Sequence, residues 1–293
     1  MSKYSRGIWA AVIGAVCWGV AGTATQYLTS VQGMDSEWLT QIRLIFGGLI
    51  LVVFGLIRDR KKTSEFLHSR RSMLHCIVFG ICGLMFTQYA YIVAISKTNS
   101  GTATMLQYFS VVLVLIISCI LAKKAPVPRE YIAIVSCLAG IFLVATHGSL
   151  SSLYISRDGF LWGMIAAVAA TCYIMIPQKL IKEWGAILPI GWGMIIGGVA
   201  FFFLMRVWRR PLVINREIIL GLLVVVILGT VLSFTLFFMG TSVIGPARGN
   251  MIGCVEPLVA TVSTALFLHT VFTPMDIVGF ALILATVLLL AKQ

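Results

Sequence analysis

The stretch of sequence that decides the fold is GTSVIGPARGNMIGCVEPL, residues 240–258, because an earlier stretch repeats its pattern. The earlier stretch is AISKTNSGTATMLQYFSVV, residues 94–112, and the two align at an offset of 146 residues. A row of small residues recurs in the same way at an offset of 152, so that Gly7, Ala11, Ala15 and Gly19 have the counterparts Gly159, Gly163, Ala167 and Thr171. Such internal similarity predicts a chain that is built from two like halves.

The composition predicts an integral membrane protein. Of the 293 residues, 59% are hydrophobic and 11% are charged, and the mean hydropathy is +1.01. A soluble domain carries roughly 25% charged residues, so this chain has too little polar surface to stay in water. The net charge of +12 does not indicate nucleic acid as a partner, because the Lys and Arg residues lie in short loops, where they set orientation in a bilayer.

The cysteines and histidines do not predict a metal site or any other cofactor. All seven cysteines fall within apolar runs, and none forms a CxxC pair. His75, His147 and His269 lie near the ends of apolar runs and lack the spacing of metal ligands. We therefore expect no metal, no cofactor, and thiols that pack as small apolar groups.

Ten apolar runs are each long enough, at about 17–25 residues, to cross about 30 Å of hydrocarbon as a helix. A backbone in lipid must satisfy its own polar groups, so the predicted fold is all-α. The predicted spans 1 to 10 cover residues 7–29, 36–57, 73–96, 100–122, 128–147, 158–179, 187–206, 217–240, 244–269 and 274–291.

The distribution of positive charge predicts the orientation. With ten spans both termini lie on one side, and placing them in the cytoplasm puts fifteen Lys and Arg residues inside and six outside. This agrees with the enrichment of positive charge in cytoplasmic loops. We therefore predict a multi-pass protein of the cell membrane (plasma or inner) with both termini cytoplasmic. One loop conflicts with this orientation, because it places four arginines outside: Arg206, Arg209, Arg210 and Arg216.

Five spans in each half have a geometric consequence. An odd number inverts the second half relative to the first, so a pseudo-two-fold axis lies in the membrane plane. The predicted halves are residues 1–150 and 151–293. The predicted fold class is an all-α integral membrane protein with ten transmembrane helices, arranged as a five-plus-five inverted repeat around a central cavity.

Four segments make the chain resemble the EamA branch of the drug/metabolite transporter (DMT) superfamily. They are GAVCWGVAGTATQYL (14–28), EWLTQIRLIFGGLIL (37–51), GPARGNMIGCVEPLVA (245–260) and DIVGFALILATVLLL (276–290). The resemblance covers nearly the whole chain. It implies ten helices in two repeats, a cavity lined mainly by spans 1, 3, 4, 6, 8 and 9, and transport of small metabolites or drugs, often outward. Many members carry proline after the serine in span 4, where Val111 follows Ser110 here, whereas span 9 keeps Pro257.

Glu256 is the most informative single residue, because it lies near the middle of predicted span 9. The other nine Asp and Glu residues lie in loops or near span ends. A carboxylate at that depth is costly unless it is paired, protonated or wetted by a cavity. Two interpretations stay open: a substrate-binding and proton-coupling group, or a helix-packing residue that bonds a neighbouring donor beside Pro257.

Arg43 lies about one and a half turns inside predicted span 2. It pairs with an anionic substrate or with Glu256 in one interpretation, and in the other its side chain extends to the outer interface. Its place near a span end favours the interface.

Polar and aromatic residues inside the spans are the remaining candidates for the cavity wall. Polar ones recur at steps of three on predicted spans 3 and 4, which places them on one side of each helix. The alternatives are interhelical hydrogen bonding for the polar residues and core packing for the aromatic ones. The predicted substrate-binding set is Trp18, Gln88, Tyr91, Gln107, Tyr108, Tyr173, Asn250 and Glu256.

These features predict a secondary active transporter of a small-molecule substrate that works by alternating access, with export as the direction implied by the resemblance. No Walker A sequence is present, so the energy comes from an ion gradient, with protons as the candidate, or from the substrate's own gradient. The first alternative is an uptake or facilitative permease for amino acids, nucleosides or similar solutes. An integral-membrane enzyme is a remote alternative, because it would need clustered His, Asp or Glu near an interface. We expect no enzymatic activity, and the oligomeric state stays open.

Overall fold

In a computed structural model the chain is a bundle of helices, and the structure describes residues 2–149 and 152–291. No strand occurs in these two ranges. The α-helices are α1 Lys3–Gln26, α2 Ser36–Arg58, α3 Arg60–His68, α4 Arg70–Val78, α5 Phe86–Lys97, α6 Ser100–Gln107, α7 Phe109–Ala122, α8 Pro128–Thr146, α9 Arg157–Met175, α10 Gln178–Trp184, α11 Ile187–Leu204, α12 Arg216–Leu223, α13 Ser233–Ile244, α14 Pro246–Gly253, α15 Val255–Leu268 and α16 Pro274–Ala291.

Three stretches wind more widely than an α-helix, as π-helix: Tyr27–Val31, Phe79–Met85 and Val224–Leu232. The second joins α4 to α5 and the third joins α12 to α13, so two long helices each contain a π-helical middle. Shifted by the repeat offset of 146, Phe79–Met85 falls within Val224–Leu232. Such widened turns are frequent at functional sites.

Nine helical stretches of the described chain are long and apolar enough to cross a membrane, from Lys3–Val31 to Met251–Leu268. The tenth predicted span coincides with α16, where the apolar stretch Pro274–Leu290 is shorter. The all-helical membrane class is therefore confirmed, whereas the number of crossings stays a prediction.

Predicted span 6, residues 158–179, extends four residues beyond the C-terminal end of the observed helix. Helix α9 ends at Met175, and a separate helix, α10, begins at Gln178. Pro177 lies between them, and it has no N–H with which to continue the hydrogen bonds of α9.

Predicted spans 4 and 9 are each divided at one residue. Tyr108 separates α6 from α7 with φ −64° and ψ −11°, and Cys254 separates α14 from α15 with φ −62° and ψ −11°. The two residues are counterparts at the offset of 146. In the first break the Val111 N–H donates to the Tyr108 carbonyl at 3.0 Å, a tight turn that forms without a proline.

The long helices of one half of the chain pack on those of the other half. Helix α1 packs on α13 and α15, α9 packs on α5, α6 and α7, α2 packs on α11, and α8 packs on α16. The small residues of the repeated row allow this: a Cβ at Gly19 would lie 2.7 Å from the Glu256 carbonyl oxygen, and one at Gly163 would lie 2.5 Å from Leu106 Cδ1. The row is therefore a helix-packing surface.

One ion pair accounts for part of the arginine-rich loop between α11 and α12. Arg210 Nη2 lies 3.2 Å from Glu37 Oε1. The Tyr89 hydroxyl donates to the same carboxylate oxygen at 3.1 Å, and Trp38 Nε1 donates to the Arg210 carbonyl at 3.1 Å. Arg210 therefore ties the loop to the start of α2, a role that a count of loop charges does not consider.

Candidate functional site

A cavity of about 390 Å³ lies among helices from both halves of the chain. Small-molecule sites in proteins measure roughly 300–1,000 Å³, so the cavity fits a metabolite-sized solute. Residues of α1, α5, α6, α7, α9, α13, α14 and α15 line it, as the resemblance implied. Two further helices contribute, α2 through Arg43 and α16 through Val287 and Leu290.

Seven of the eight predicted site residues line this cavity: Trp18, Gln88, Tyr91, Gln107, Tyr108, Tyr173 and Glu256. The eighth, Asn250, belongs to α14, and its side chain lies outside the described part of the structure. The structure therefore brings the seven together, while their part in binding a solute stays a prediction.

Ten of the twenty lining residues form pairs that the sequence repeat relates. The pairs at an offset of 146 are Gln88 and Phe234, Tyr91 and Phe237, Gln107 and Gly253, and Ser110 and Glu256. Trp18 and Ala170 form one more pair at an offset of 152. The two halves thus share part of the cavity wall as equivalent helix positions.

Phe234 and Phe237 were not among the predicted site residues. Both pack on the Trp18 ring, with centroid distances of 5.2 Å and 4.9 Å. The repeat held the signal that finds them, because the offset of 146 applied to Gln88 and Tyr91 gives these two positions.

The Glu256 carboxylate accepts no hydrogen bond from the described residues, although the positive charge of Arg43 is near enough to act on it. It lies two residues beyond the break at Cys254, and no donor of the described chain forms a hydrogen bond or a salt bridge with it. The helix-packing interpretation required such a donor. A carboxylate that accepts no hydrogen bond in an apolar setting is costly, so the charge of Arg43 and water, a proton or a solute in the cavity are what can stabilise it.

Arg43 is buried, with 6% of its surface exposed, so the prediction that its side chain extends to the interface is wrong. Its Nε donates to Thr230 Oγ1 at 3.2 Å, and its Nη2 donates to the Gly229 carbonyl at 3.1 Å. Both acceptors belong to the π-helical stretch Val224–Leu232. No salt bridge joins Arg43 to Glu256, although both line the cavity.

Tyr108 links the two helix breaks. Its hydroxyl donates to the Gly253 carbonyl at 2.8 Å. In a regular α-helix that carbonyl would accept from the N–H four residues later, which is the position of Pro257 and has no N–H. The first half of the chain therefore satisfies a carbonyl that the proline of the second half leaves free.

Polar contacts hold the C-terminal end of α1 against its neighbours. The Thr23 hydroxyl lies 2.6 Å from that of Ser263 and 3.0 Å from that of Thr264. Gln26 accepts from the Ser100 N–H at 2.7 Å and donates to the Thr270 hydroxyl at 3.3 Å.

The cavity lining extends away from the C-terminal end of α1, toward the opposite end of the bundle. It reaches Ile174 and Leu290, which lie at the C-terminal ends of α9 and α16. The end of the bundle at which α1 terminates is therefore the closed end.

Comparisons with known proteins agree with this arrangement. The sequence profile of the EamA-like transporter family matches residues 5–146 and again 157–292. The chain is 33% identical to the inner membrane transporter YicL of Salmonella typhimurium, over 99% of this chain and 97% of YicL. It is 25% identical to a transporter of Archaeoglobus fulgidus, over 93% of this chain and 92% of that protein. A solved crystal structure shares the fold with a TM-score of 0.63 at 15% identity, over 99% of this chain and 97% of that one. The chain is thus a multi-pass membrane protein that belongs to the EamA-like transporter family.

Proposed function

We propose that this protein is a secondary transporter that moves a small-molecule substrate by alternating access. One observation carries the proposal: matched positions of the two halves line a cavity in which the Glu256 carboxylate accepts no hydrogen bond from the described residues. The family consists of transporters, which supports the same conclusion.

In this proposal ten helices form a five-plus-five inverted repeat, with residues 1–150 and 151–293 as the two halves. The paired lining positions, the equivalent breaks at Tyr108 and Cys254 and the equivalent π-helical stretches support it. A site between two inverted halves can face either side of the membrane through equivalent motions of the helices.

The proposed direction is export from the cytoplasm, with both termini cytoplasmic. In that orientation the C-terminal end of α1 lies at the outer face, and its contacts through Thr23 and Gln26 close the cavity to the outside. The cavity then faces the cytoplasm, from which an exporter takes its substrate.

Glu256 is the proposed coupling residue. A buried carboxylate that accepts no hydrogen bond from the described residues can hold a proton in one step and release it as solute leaves or enters, so the two fluxes depend on each other. Arg43 has a different role in this proposal, because two of its nitrogens already bind the π-helical stretch and hold α2 against it.

The test uses the purified protein in liposomes that contain a pH-sensitive dye. Labelled amino acids, nucleosides and amphipathic drugs are offered one by one, with and without a proton gradient across the membrane. We expect at least one solute to move faster than in protein-free liposomes, to follow the gradient, and to change the internal pH.

Each alternative gives a different result. Solute movement at the same rate with and without the proton gradient would indicate the facilitative permease. Movement opposite to the proposed direction under the same proton gradient would indicate uptake. If no solute of any class moves faster than in protein-free liposomes, the transporter proposal fails.

A further inference from the structure

Six cations lie together at one end of the bundle, and all six are exposed. The short helix α3 connects the end of α2 to the start of α4 and is too short to cross a bilayer, so it lies at the interface. Helix α10, which connects α9 to α11 in the second half, is likewise too short to cross a bilayer and lies at the interface. The six residues, which we name the basic patch, are Arg60 and Lys61 of α3, Arg70 and Arg71 of α4, and Lys179 and Lys182 of α10.

Side-chain packing holds the three elements of the basic patch in place. Phe66 of α3 is fully buried, and its ring packs edge-on against that of Trp184 of α10, with 5.4 Å between the centroids. Trp184 Nε1 donates to Ser72 Oγ of α4 at 3.0 Å. His75 of α4 bonds the Ile176 carbonyl, just beyond α9, at 2.8 Å. The cations are therefore carried by a fixed surface.

The acids beside the basic patch are fewer than its cations: Asp59, Glu65 and Glu183 are the exposed acids of these elements. None of its six cations forms a salt bridge within the described ranges. Asp59, the acid next to Arg60, instead caps α3, where its Oδ1 accepts from the Lys62 N–H at 2.9 Å. An excess of positive charge thus faces the surroundings and attracts an external anion.

Exposed apolar side chains lie close in the chain to the cations of the basic patch, within the long apolar helical stretches. Ile57 at the end of α2 is 81% exposed and Leu74 of α4 is 65% exposed. A soluble anion would gain nothing from these side chains, whereas a phospholipid has both a charged headgroup and acyl chains. Clusters of Lys and Arg beside a spanning helix attract anionic headgroups.

We propose that the basic patch binds the headgroup phosphate of an anionic phospholipid, whose acyl chains lie along Ile57 and Leu74. This site is separate from the cavity, so it does not rest on the proposed function. Bound there, the lipid bridges α3, α4 and α10 and stabilises the contact between the two halves of the chain.

The experiment uses the full-length protein in a neutral detergent. Phosphatidylglycerol and phosphatidylcholine with the same acyl chains are titrated, and bound lipid is counted by native mass spectrometry. We expect the wild-type protein to prefer phosphatidylglycerol, and the double variant Arg60→Gln/Arg71→Gln to bind it about 10-fold more weakly. The matched control is Lys3→Gln/Arg6→Gln, which removes two exposed cations from the N-terminal end of α1 and keeps affinity within about 2-fold.

Three results would overturn the proposal. Equal weakening by the patch variant and the control would mean that general surface charge attracts the lipid. If soluble glycerol phosphate displaced bound phosphatidylglycerol at the same concentration as free phosphatidylglycerol does, the patch would bind a free anion and not a lipid. The variant Arg60→Lys/Arg71→Lys keeps the charge and must therefore keep the preference for phosphatidylglycerol. If this variant still elutes as a folded species but has lost the preference, a site based on charge is contradicted.

Discussion

The two halves of the cavity wall use the same helix positions and different side chains. The first half contributes mainly hydrogen-bonding groups, Gln88, Tyr91, Gln107 and Ser110, and their counterparts are Phe234, Phe237, Gly253 and Glu256. The backbone repeat fixes which positions face the cavity, while each side chain has diverged. The difference indicates a site with one hydrogen-bonding side and one side of aromatic rings and a carboxylate, which suits an asymmetric solute.

The largest effect on transport is expected at Glu256, whose counterpart in the first half, Ser110, carries no charge. Glu256→Gln keeps the shape and removes the charge, so we expect gradient-driven transport to fall at least about 10-fold, equivalent to about 1.4 kcal/mol. Ser110→Ala at the counterpart position changes it by no more than about 3-fold, because a single polar contact in a membrane contributes about 0.6 kcal/mol. The measurement is the initial transport rate in liposomes. A pH–rate profile of Glu256→Gln that matches the wild-type profile would contradict the coupling role.

The next effect concerns α2, where two equally buried polar residues differ in their partners. Arg43 bonds Thr230 and Gly229, whereas Gln41 Oε1 has no partner in the described chain. Arg43→Met leaves both acceptors unpaired and lowers the free energy of unfolding by about 1–3 kcal/mol. Gln41→Met removes an unsatisfied oxygen and lowers it by less than about 0.5 kcal/mol. Unfolding in a titration with sodium dodecyl sulfate measures both, and equal losses would refute the role assigned to Arg43.

A smaller effect tests the bond between the two helix breaks. Tyr108→Phe leaves the Gly253 carbonyl without its donor and costs about 1 kcal/mol of stability. Pro257→Ala supplies a backbone N–H four residues beyond Gly253, so in that background Tyr108→Phe costs less than about 0.5 kcal/mol. A double-mutant cycle in the same unfolding titration gives the coupling free energy. Additive costs would show that the hydroxyl does not replace the missing N–H.

The smallest effect is expected at the counterpart of Pro257. Val111→Pro loses one hydrogen bond, from the Val111 N–H to the Tyr108 carbonyl, at a turn where the helix is already broken, so it costs about 1 kcal/mol or less. Val114→Pro, one turn later inside α7, costs about 3 kcal/mol or more because it interrupts a regular helix. Similar losses of thermal stability in the two variants would mean that the break at Tyr108 does not make a proline at residue 111 less costly than one inside the regular helix.

The features that the sequence predicts correctly are those with a local or repeating signal. Long apolar runs predict the membrane class, and polar and aromatic residues inside them, together with the family resemblance, predict seven residues that line the cavity. The burial of Arg43 has no such signal, because it depends on carbonyl and hydroxyl groups of a π-helical stretch nearly two hundred residues away. The break at Tyr108 also escapes prediction, since neither proline nor glycine marks it.

The packing of α1 on α13 and α15 has a consequence for biogenesis. About 240 residues separate the end of α1 from the end of α15, so at roughly 5–20 residues per second the ribosome needs about 10–50 s to supply the partner of α1. During that interval α1 resides in the bilayer with its small-residue face against lipid or insertion machinery. Insertion and assembly are therefore separate stages, and a nascent chain that stalls before α13 exposes that face to membrane proteases.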